Sequence, residues 1–246
     1  MSLRDETLAT VRALDLGQFD VGPGKRRIAI PGFLLTTDAG HHILFDTGFP
    51  AAYVTDERKA ATADGLDRFG RLIDFRPDQT ITGALALVGL TPADIGHLIL
   101  SHGHIDHVGG LALFAHAEII LTARERAEPA PLYFGTARPI PWPDARYRLI
   151  RRATQLCHGL RLIPTPGHTP GHLSALATLP GGSVLLAADA INRASEPAEG
   201  FPDAMDPATA ARSAAKLMQL ARDTGAEVIY GHDPEQGATL GGRIWR

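Results

Sequence analysis

The chain is short of cysteine, of long apolar runs and of excess positive charge, and each shortage excludes a class of protein. Its single cysteine, Cys157, cannot form a disulfide within the chain, which favours a reducing compartment. No apolar stretch reaches the roughly 18 residues of a membrane span, and residues 1–6 lack the apolar core of a signal peptide. We therefore expect a cytoplasmic protein that does not bind membranes.

Charge argues against a nucleic-acid partner. The chain has 24 Lys and Arg residues against 27 Asp and Glu residues, which leaves a formal net charge of −3. A strongly basic surface of the kind that binds phosphate backbones is therefore not expected. Hydrophobic residues make up 44% and charged residues 21% of the 246 residues, so we expect one globular domain over residues 1–246.

Apolar patterning predicts a layered α/β architecture. Strand patterns occur at residues 28–35, 42–45, 97–100, 118–121, 160–163, 173–179, 183–187 and 227–230. Helical patterns occur at residues 80–90, from 91, at 109–114 and at 206–224, and a short helix is expected within 51–75. The early strands pair as hairpins and the later ones alternate with helices, which favours sheet and helix layers.

Residues 126–148 are too rich in proline for a helix interior or a central strand. The segment also carries the aromatic residues Tyr133, Phe134, Trp142 and Tyr147. A loop of this length and composition is typical of a lid or pocket wall, and equally of a loop packed down by its own aromatics.

Histidine is the informative residue type, because several of the 11 histidines cluster directly after predicted strands. His102, His104, Asp106 and His107 offer four potential metal ligands within one turn. Such a turn cannot easily aim all four at one tetrahedral ion, whereas two ions about 3.5–4 Å apart would accommodate them. Imidazole and carboxylate without thiolate suit Zn²⁺, with Mn, Fe and Co left open.

The full pattern resembles the metallo-β-lactamase superfamily over about residues 28–233. The motifs that carry the resemblance are Phe45-Asp46-Thr47-Gly48, His102-x-His104-x-Asp106-His107, Thr165-Pro166-Gly167-His168, Asp189 and Gly231-His232. The resemblance implies an αββα sandwich with two divalent metal ions at a sheet edge. It assigns His102, His104 and His168 to the first metal and Asp106, His107 and His232 to the second, with Asp189 as the bridging ligand.

Three other residues of interest are not expected to be metal ligands. Asp46 either supports the motif from outside the ligand set or simply forms a turn. His172 is expected to support the site rather than to bind metal, since His168 already fills the ligand position of the family pattern. Cys157 stands at no ligand position and is expected to be a small core or surface residue.

The implied chemistry is hydrolysis by a metal-bridging hydroxide. Two divalent ions, the carboxylates of Asp106 and Asp189 and one hydroxide would leave a site charge of about +1, which favours a developing oxyanion. By the same resemblance, Asp106 would pass a proton to the leaving group.

Among subfamilies, the chain most resembles the N-acyl homoserine lactonases, on Ile30-Pro31-Gly32-Phe33-Leu34-Leu35, Ile43-Leu44-Phe45-Asp46-Thr47-Gly48 and Ala187-Ala188-Asp189-Ala190. This implies a small-molecule lactone substrate and leaves a homodimer open. The chain departs from that pattern at Asn192, where many of these lactonases carry a tyrosine that hydrogen-bonds the lactone carbonyl. The Asn192 amide N–H could donate a similar bond, Tyr53 or Tyr133 could replace it, or Asn192 could merely shape the loop.

Other functions stay open at this point. Another lactone or ester is one alternative, and a glyoxalase-II-like thioesterase is a second, because it shares Thr165-Pro166-Gly167-His168-Thr169-Pro170-Gly171-His172. That family carries a helical substrate-binding region after its last metal histidine, and few residues follow His232 here. A metal-stabilised binding module is the non-enzymatic alternative, although all seven ligand positions of the pattern are filled.

Overall fold

A computed structural model describes residues 3–22, 24, 26–133 and 136–246, so Phe134 of the proline-rich segment lies outside the described residues. The strands are β1 (Leu8–Val21), β2 (Arg26–Thr37), β3 (His42–Phe45), β4 (Gly70–Leu72), β5 (Ile95–Ile99), β6 (Glu118–Thr122), β7 (Arg146–Ile150), β8 (Thr154–Cys157), β9 (Leu160–Pro164), β10 (Leu173–Leu179), β11 (Gly182–Ala188), β12 (Glu227–Tyr230) and β13 (Ile244–Trp245). The helices are α1 (Ala52–Thr55), α2 (Glu57–Asp64), α3 (Ile81–Ala86), α4 (Ile105–Val108), α5 (Ala123–Arg126), α6 (Glu196–Glu199), α7 (Pro207–Thr224) and α8 (Pro234–Leu240).

The strands form two sheets. In the first sheet the order is β13-β1-β2-β3-β5-β6-β7, with β4 paired to β1. Its β13, β1, β2 and β3 are antiparallel neighbours, whereas β3, β5, β6 and β7 run parallel. The second sheet has the order β12-β11-β10-β9-β8 and is antiparallel except where β11 meets β12. The parallel strands bring their carboxyl ends to one edge of each sheet.

Three buried clusters show how the sheets and helices are layered. One cluster lies between the sheets and joins Phe33, Ile43 and Phe45 of the first sheet to Leu162 and Leu186 of the second. A second cluster covers the outer face of the first sheet with the helical segments around α1 to α3. A third packs α7 on the outer face of the second sheet. The layers are therefore helix, sheet, sheet and helix, which confirms the predicted αββα sandwich.

Most of the predicted elements are confirmed, and the differences have a local cause. The helix predicted at residues 206–224 begins after its Asp206 cap and ends at Gly225, which has a left-handed backbone. The helical patterns from 91 and at 109–114 form only the 3-10 turns Pro92–Asp94 and Leu111–Phe114. The end of the predicted loop at 126–148 already belongs to β7.

The longest strand, β1, was not predicted. Its side chains are buried on both faces, with Val11 in the cluster between the sheets and Leu16 in the outer cluster. A strand that is covered on both sides has no clean apolar–polar alternation, so the periodicity that reveals other strands is missing.

Within the described part of the chain, no helix combines the length and apolar character that crossing a membrane requires.

Candidate metal centre

The predicted ligands lie on loops that follow strand ends of both sheets. His102 and His104 follow β5 of the first sheet, and α4 then carries Asp106 and His107. The ligands from the second sheet are His168 after β9, Asp189 after β11 and His232 after β12. The site therefore lies across the top of the sandwich, where segments far apart in sequence converge.

The structure brings the seven residues together in two groups. His102, His104, His168 and Asp189 form one group, and Asp106, His107 and His232 form the other; the potential ligand atoms of each group lie within 4.8 Å of one another. For the six residues other than Asp189, this is the division that the family resemblance implies; Asp189, the implied bridging ligand, falls in the first group. The geometry is that of two adjacent ligand sets.

Asp189 lies between the two groups. Its Oδ2 is 3.1 Å from His168 Nε2 and 3.9 Å from His102 Nε2 on one side. On the other side Oδ1 is 3.3 Å from His107 Nε2, and Oδ2 is 3.1 Å from His232 Nε2. A carboxylate in this position can offer an oxygen to each of two neighbouring ions.

Unpartnered polar atoms show that the residues fit metal ions. Nε2 of His102, Nε2 of His107 and Oδ1 of Asp189 are buried and have no hydrogen-bond partner in the described ranges. A tetrahedral ion with ligands at about 2.0–2.1 Å separates its ligand atoms by about 3.4 Å. His232 Nε2 and Asp106 Oδ2 are 3.3 Å apart, and His168 Nε2 and His104 Nδ1 are 3.1 Å apart. Nitrogen and carboxylate oxygen donors at these separations suit Zn²⁺ and related divalent ions.

Burial prepares the first group to bind metal. It lowers the pKa of His102 and of His168 well below the usual range and lowers the pKa of His104 to about 4. These imidazoles are therefore neutral at neutral pH, which is the form that coordinates a cation.

Carboxylates in and around the second group determine the protonation of its histidine His107. Burial disfavours the charged form of His107 as well, but Asp106, Asp189 and Asp46 outweigh burial and raise the pKa of this imidazole well above its usual range. Burial alone would raise the pKa of Asp189, but the surrounding imidazoles, with His232 first, lower it instead. The carboxylates thus create a strongly negative environment that favours positive charge.

Asp46 is held beside the ligands rather than among them. Its Oδ2 accepts from His107 Nδ1 at 2.8 Å and from the Ser101 hydroxyl at 2.7 Å, and its Oδ1 accepts from the Ser101 N–H at 2.7 Å. Ser101 Oγ also lies 3.0 Å from His102 Nδ1. Of the two interpretations of Asp46, these contacts favour the supporting one, since they leave Nε2 of His107 facing the centre.

His172 and His232 are oriented through their Nδ1 atoms. His232 Nδ1 lies 2.8 Å from the carbonyl oxygen of Ala29, a residue of β2. His172 Nδ1 lies 2.8 Å from Thr165 Oγ1, which in turn contacts Ser174. His172 belongs to neither group of potential ligands, and its ring lies behind His102, with the ring centroids 5.2 Å apart.

Glu125 joins the two ligand loops and was not singled out from the sequence. Its Oε1 accepts from the Gly103 N–H at 2.8 Å, and its Oε2 accepts from the Thr169 hydroxyl at 2.8 Å and the Gly171 N–H at 3.0 Å. The side chain is buried, and burial raises its pKa. No local pattern marks Glu125, because its partners lie 22 to 46 residues away.

Backbone strain occurs where two of the acidic residues leave their strands. Asp46 has φ of 63° and Ala188, directly before Asp189, has φ of 47°, both in the left-handed region. Gly231 packs against this bend so closely that a Cβ there would lie 2.7 Å from the backbone of Ala188. This close approach explains why glycine precedes His232.

A cavity of about 260 Å³ opens onto the two groups. Its polar lining consists of His104, Asp106, His168, Asp189, Asn192 and His232, with Arg26 and Asp203. Its apolar lining consists of Phe19, Val21, Ile28, Phe49 and Phe69. Arg26 and Asp203 form an ion pair at 2.8 Å. The cavity therefore combines potential metal ligands with a wall suited to an apolar chain.

The three candidates for the missing tyrosine occupy different places. Asn192 lines the cavity, and its side-chain Nδ2 donates to Glu196 Oε1 at 2.9 Å. The Tyr53 hydroxyl donates to Asp64 at 2.9 Å, and Tyr133 is 1% exposed. Neither tyrosine is among the described residues that line the cavity, so Asn192 is the candidate that the fold places there.

An αββα sandwich with two groups of His and Asp side chains at its sheet edge is the arrangement of a metallohydrolase. A family model for the metallo-beta-lactamase superfamily matches residues 31–232, and the chain belongs to this superfamily.

Two curated relatives and one solved structure that are similar to this chain are N-acyl homoserine lactone hydrolases. The chain is 32% identical over 222 residues to the N-acyl homoserine lactonase AiiA of Bacillus thuringiensis subsp. kurstaki, covering 87% of this chain and 85% of the relative. It is 31% identical over 229 residues to the N-acyl homoserine lactonase AttM of Azorhizobium caulinodans, covering 85% and 83%. A solved N-acyl homoserine lactone hydrolase with N-hexanoyl-L-homoserine at its catalytic metal centre is 28% identical, with a TM-score of 0.82 over 95% of this chain and 96% of that one.

Proposed function

We propose that the chain is a metal-dependent hydrolase that opens lactone rings, with N-acyl homoserine lactones as its main substrates. The observation that carries the proposal is the convergence of two ligand groups on a cavity with an apolar wall. A polar ring can reach the ligand groups while an acyl chain lies along the phenylalanines. The similarity to N-acyl homoserine lactonases supports the same substrate class.

The proposed centre holds two divalent ions, with Zn²⁺ preferred. His102, His104 and His168 would hold one ion and Asp106, His107 and His232 the other, with Asp189 between them. Such ions would lower the pKa of bound water, and their positive charge would stabilise a developing oxyanion. The unpartnered nitrogens of His102 and His107 support this assignment.

The residues of the chain would orient the substrate and manage the proton. When water adds to the lactone carbonyl and the ring C–O bond breaks, the leaving oxygen must gain a proton. Asp106 lines the cavity and is the carboxylate that we assign to this transfer. Asn192 lines the same cavity and is assigned to substrate contact.

The assay that tests the function follows ring opening with a pH indicator. The substrates are short and long N-acyl homoserine lactones, simple γ- and δ-lactones, and S-lactoylglutathione. The zinc-loaded protein is assayed with each substrate, and Asp106→Ala serves as the blank. We expect metal-dependent turnover that is fastest with the acyl homoserine lactones. Turnover of only the thioester would indicate the thioesterase alternative, and no turnover of any ester or lactone would favour the binding module.

The proton-transfer role of Asp106 is tested with Asp106→Asn. This substitution keeps an oxygen donor but removes the group that carries the proton, so we expect kcat to fall by at least about 100-fold. Metal content is measured on the same sample, because Asp106 is also a proposed ligand. Full turnover with both metals retained would contradict the role.

Several broader features belong to the same proposal. One domain over residues 1–246 is supported by the cluster that joins the two sheets. The single buried cysteine is compatible with a cytoplasmic location. A homodimer stays a prediction that the molecular mass in solution would test.

A further inference from the structure

Asn192 lines the cavity, and its side chain carries one buried polar atom that the described residues leave without a partner. The residue is 3% exposed and lines the cavity beside Asp189 and His232. Its backbone N–H and its side-chain Nδ2 both donate to the carboxylate of Glu196. Its backbone oxygen accepts from the His232 N–H at 2.8 Å. The side-chain Oδ1 is buried and has no hydrogen-bond partner in the part of the chain that is described.

From this arrangement we infer that Asn192 Oδ1 accepts the amide N–H of the substrate and that Glu196 is the positioning residue that holds it in that orientation. The inference rests on the proposed lactonase function. It differs from the donor role expected from the sequence, because one N–H of the carboxamide already donates to Glu196 and the oxygen is the atom left without a partner. A buried carbonyl oxygen needs a donor, and the amide of an N-acyl homoserine lactone supplies one in the cavity that Asn192 lines.

Glu196 determines which end of the carboxamide faces the ligand. A rotation of Asn192 by half a turn would exchange Oδ1 and Nδ2 and would set its oxygen against Glu196 Oε1. Burial raises the pKa of Glu196, and the hydrogen bonds from Asn192 oppose that shift. When Glu196 is ionised, its carboxylate only accepts hydrogen bonds, so that orientation is disfavoured. Glu196 is 1% exposed and accepts one hydrogen bond from the backbone N–H of Asn192 and one from its Nδ2. The acceptor is thus fixed before the substrate binds.

The consequence is selectivity for lactones that carry an amide. In an N-acyl homoserine lactone the amide nitrogen is attached to the ring carbon next to the lactone carbonyl, and the acyl chain continues from it. The cavity offers ligand groups for the carbonyl and an apolar wall for the chain. Asn192 lies in the lining of the same cavity, and its buried Oδ1 is the acceptor that we assign to the N–H. A lactone with an ester oxygen in place of the N–H would bring two acceptors together.

The first test uses the unaltered, zinc-loaded protein and one pair of substrates. N-hexanoyl homoserine lactone is compared with α-hexanoyloxy-γ-butyrolactone, which has the same ring and chain but an oxygen in place of the N–H. Mass spectrometry identifies ring opening as the addition of water with the acyl group retained. We expect kcat/KM to be about tenfold lower for the ester, the effect of one hydrogen bond.

Three variants then assign that difference to the residues. Asn192→Ala should reduce the amide-to-ester ratio of kcat/KM to near one. Glu196→Gln should also reduce it, because a glutamine N–H can donate to Oδ1 and so favour the rotated carboxamide. Glu199→Gln is the matched control in the same helix; its side chain contacts Arg193 and Ser195, so the ratio should match that of the wild type.

The outcomes separate this inference from the proposed function. Equal kcat/KM for the two lactones in the wild type would overturn the inference and leave the lactonase function standing. A tenfold ratio that persists in Asn192→Ala would overturn it as well. Opening of neither lactone by the wild type would overturn the proposed function and the inference together. If Asn192→Ala fails to fold, the ratio in Glu196→Gln takes its place, and a tenfold ratio that persists there overturns the inference.

Discussion

Asp46 lies outside the proposed ligand set but hydrogen-bonds to two residues of the loop that carries four of its members. Its carboxylate accepts hydrogen bonds from His107 and Ser101, and the side chains of all three residues are buried. Two of these hydrogen bonds fix side chains that belong to or adjoin the ligand loop, and the strained backbone at φ of 63° aims the carboxylate at them.

We therefore expect Asp46→Ala to weaken metal binding while leaving all seven proposed ligands in place. Loss of the acceptor for His107 Nδ1 frees the imidazole to rotate, and such changes typically lower metal affinity by about 10–100-fold. Competition with a chelator of known affinity measures the effect. Asp223→Ala, an exposed site on α7, is the control. Wild-type affinity in Asp46→Ala would show that Asp46 only shapes its turn.

At the scale of elements, the ligand loops after β5 and β9 depend on a residue of neither loop. Glu125 in α5 accepts hydrogen bonds from Gly103 in the first loop and from Thr169 and Gly171 in the second. The helix itself has only four residues, and its Thr122 cap also donates to the carbonyl of Gly171. A short helix thus links the two loops that carry the three histidines of the first ligand group.

Glu125→Gln should destabilise the protein by about 1–3 kcal/mol. A glutamine has one acceptor oxygen, so its amide group would face an N–H of either Gly103 or Gly171 and leave that donor without a partner. Urea unfolding of the zinc-loaded protein measures the change. Glu128→Gln, whose side chain pairs with Arg138 at the surface, should stay within about 0.5 kcal/mol of the wild type. Equal stability of Glu125→Gln and the wild type would remove this role.

At the scale of the whole molecule, the proposed metal centre joins the two sheets. His102, His104, Asp106 and His107 follow a strand of the first sheet, whereas His168, Asp189 and His232 follow strands of the second. Ions bound to both sets would tie the sheets together at the site edge, in addition to the apolar cluster between them.

Removal of metal should therefore lower the melting temperature. A ligand at about 100 times its Kd stabilises the folded state by about 2.7 kcal/mol, which corresponds to roughly 5–10 °C for a chain of this size. Chelator-treated protein is compared with the same sample reloaded with Zn²⁺ or with Ca²⁺. We expect recovery with Zn²⁺ only, because the ligand set is rich in imidazole. An unchanged melting temperature would argue against metal binding at the centre.

Cys157 is buried between the two sheets, so the ionisation of its thiol depends on their packing. It is 1% exposed within the inter-sheet cluster, and burial raises the pKa of its thiol to about 11. In the unfolded chain the thiol ionises near its ordinary pKa of 9.0. The stability contributed by the buried thiol is therefore complete below pH 9 and is lost as pH rises towards 11.

Between pH 8 and pH 10, we expect the free energy of unfolding of the wild type to fall by about 1 kcal/mol more than that of Cys157→Ala. Urea unfolding at both pH values gives the difference. The thiol should also react slowly with a thiol reagent at pH 8 until the protein is unfolded. Fast reaction in the folded state, or identical pH dependence of the two proteins, would contradict this account of Cys157.

The candidate ligand residues, most of the strands and the layered α/β class could all be predicted from the sequence. These features have local signatures: apolar runs predict the strands, and the histidine motifs lie directly after them. A residue at the end of a strand is carried to a sheet edge whatever the exact topology, so convergence could be expected before the sheets were known.

The contacts that support those residues, and the atoms that they leave without a partner, could not be predicted before the folded structure was known. His232 is oriented by the carbonyl of Ala29, which lies 203 residues away, and Glu125 reaches Gly171 across 46 residues. The orientation of Asn192 depends on a carboxylate whose burial no pattern reveals. Contacts between distant segments leave no periodic trace in a sequence, because they exist only after the two sheets have packed.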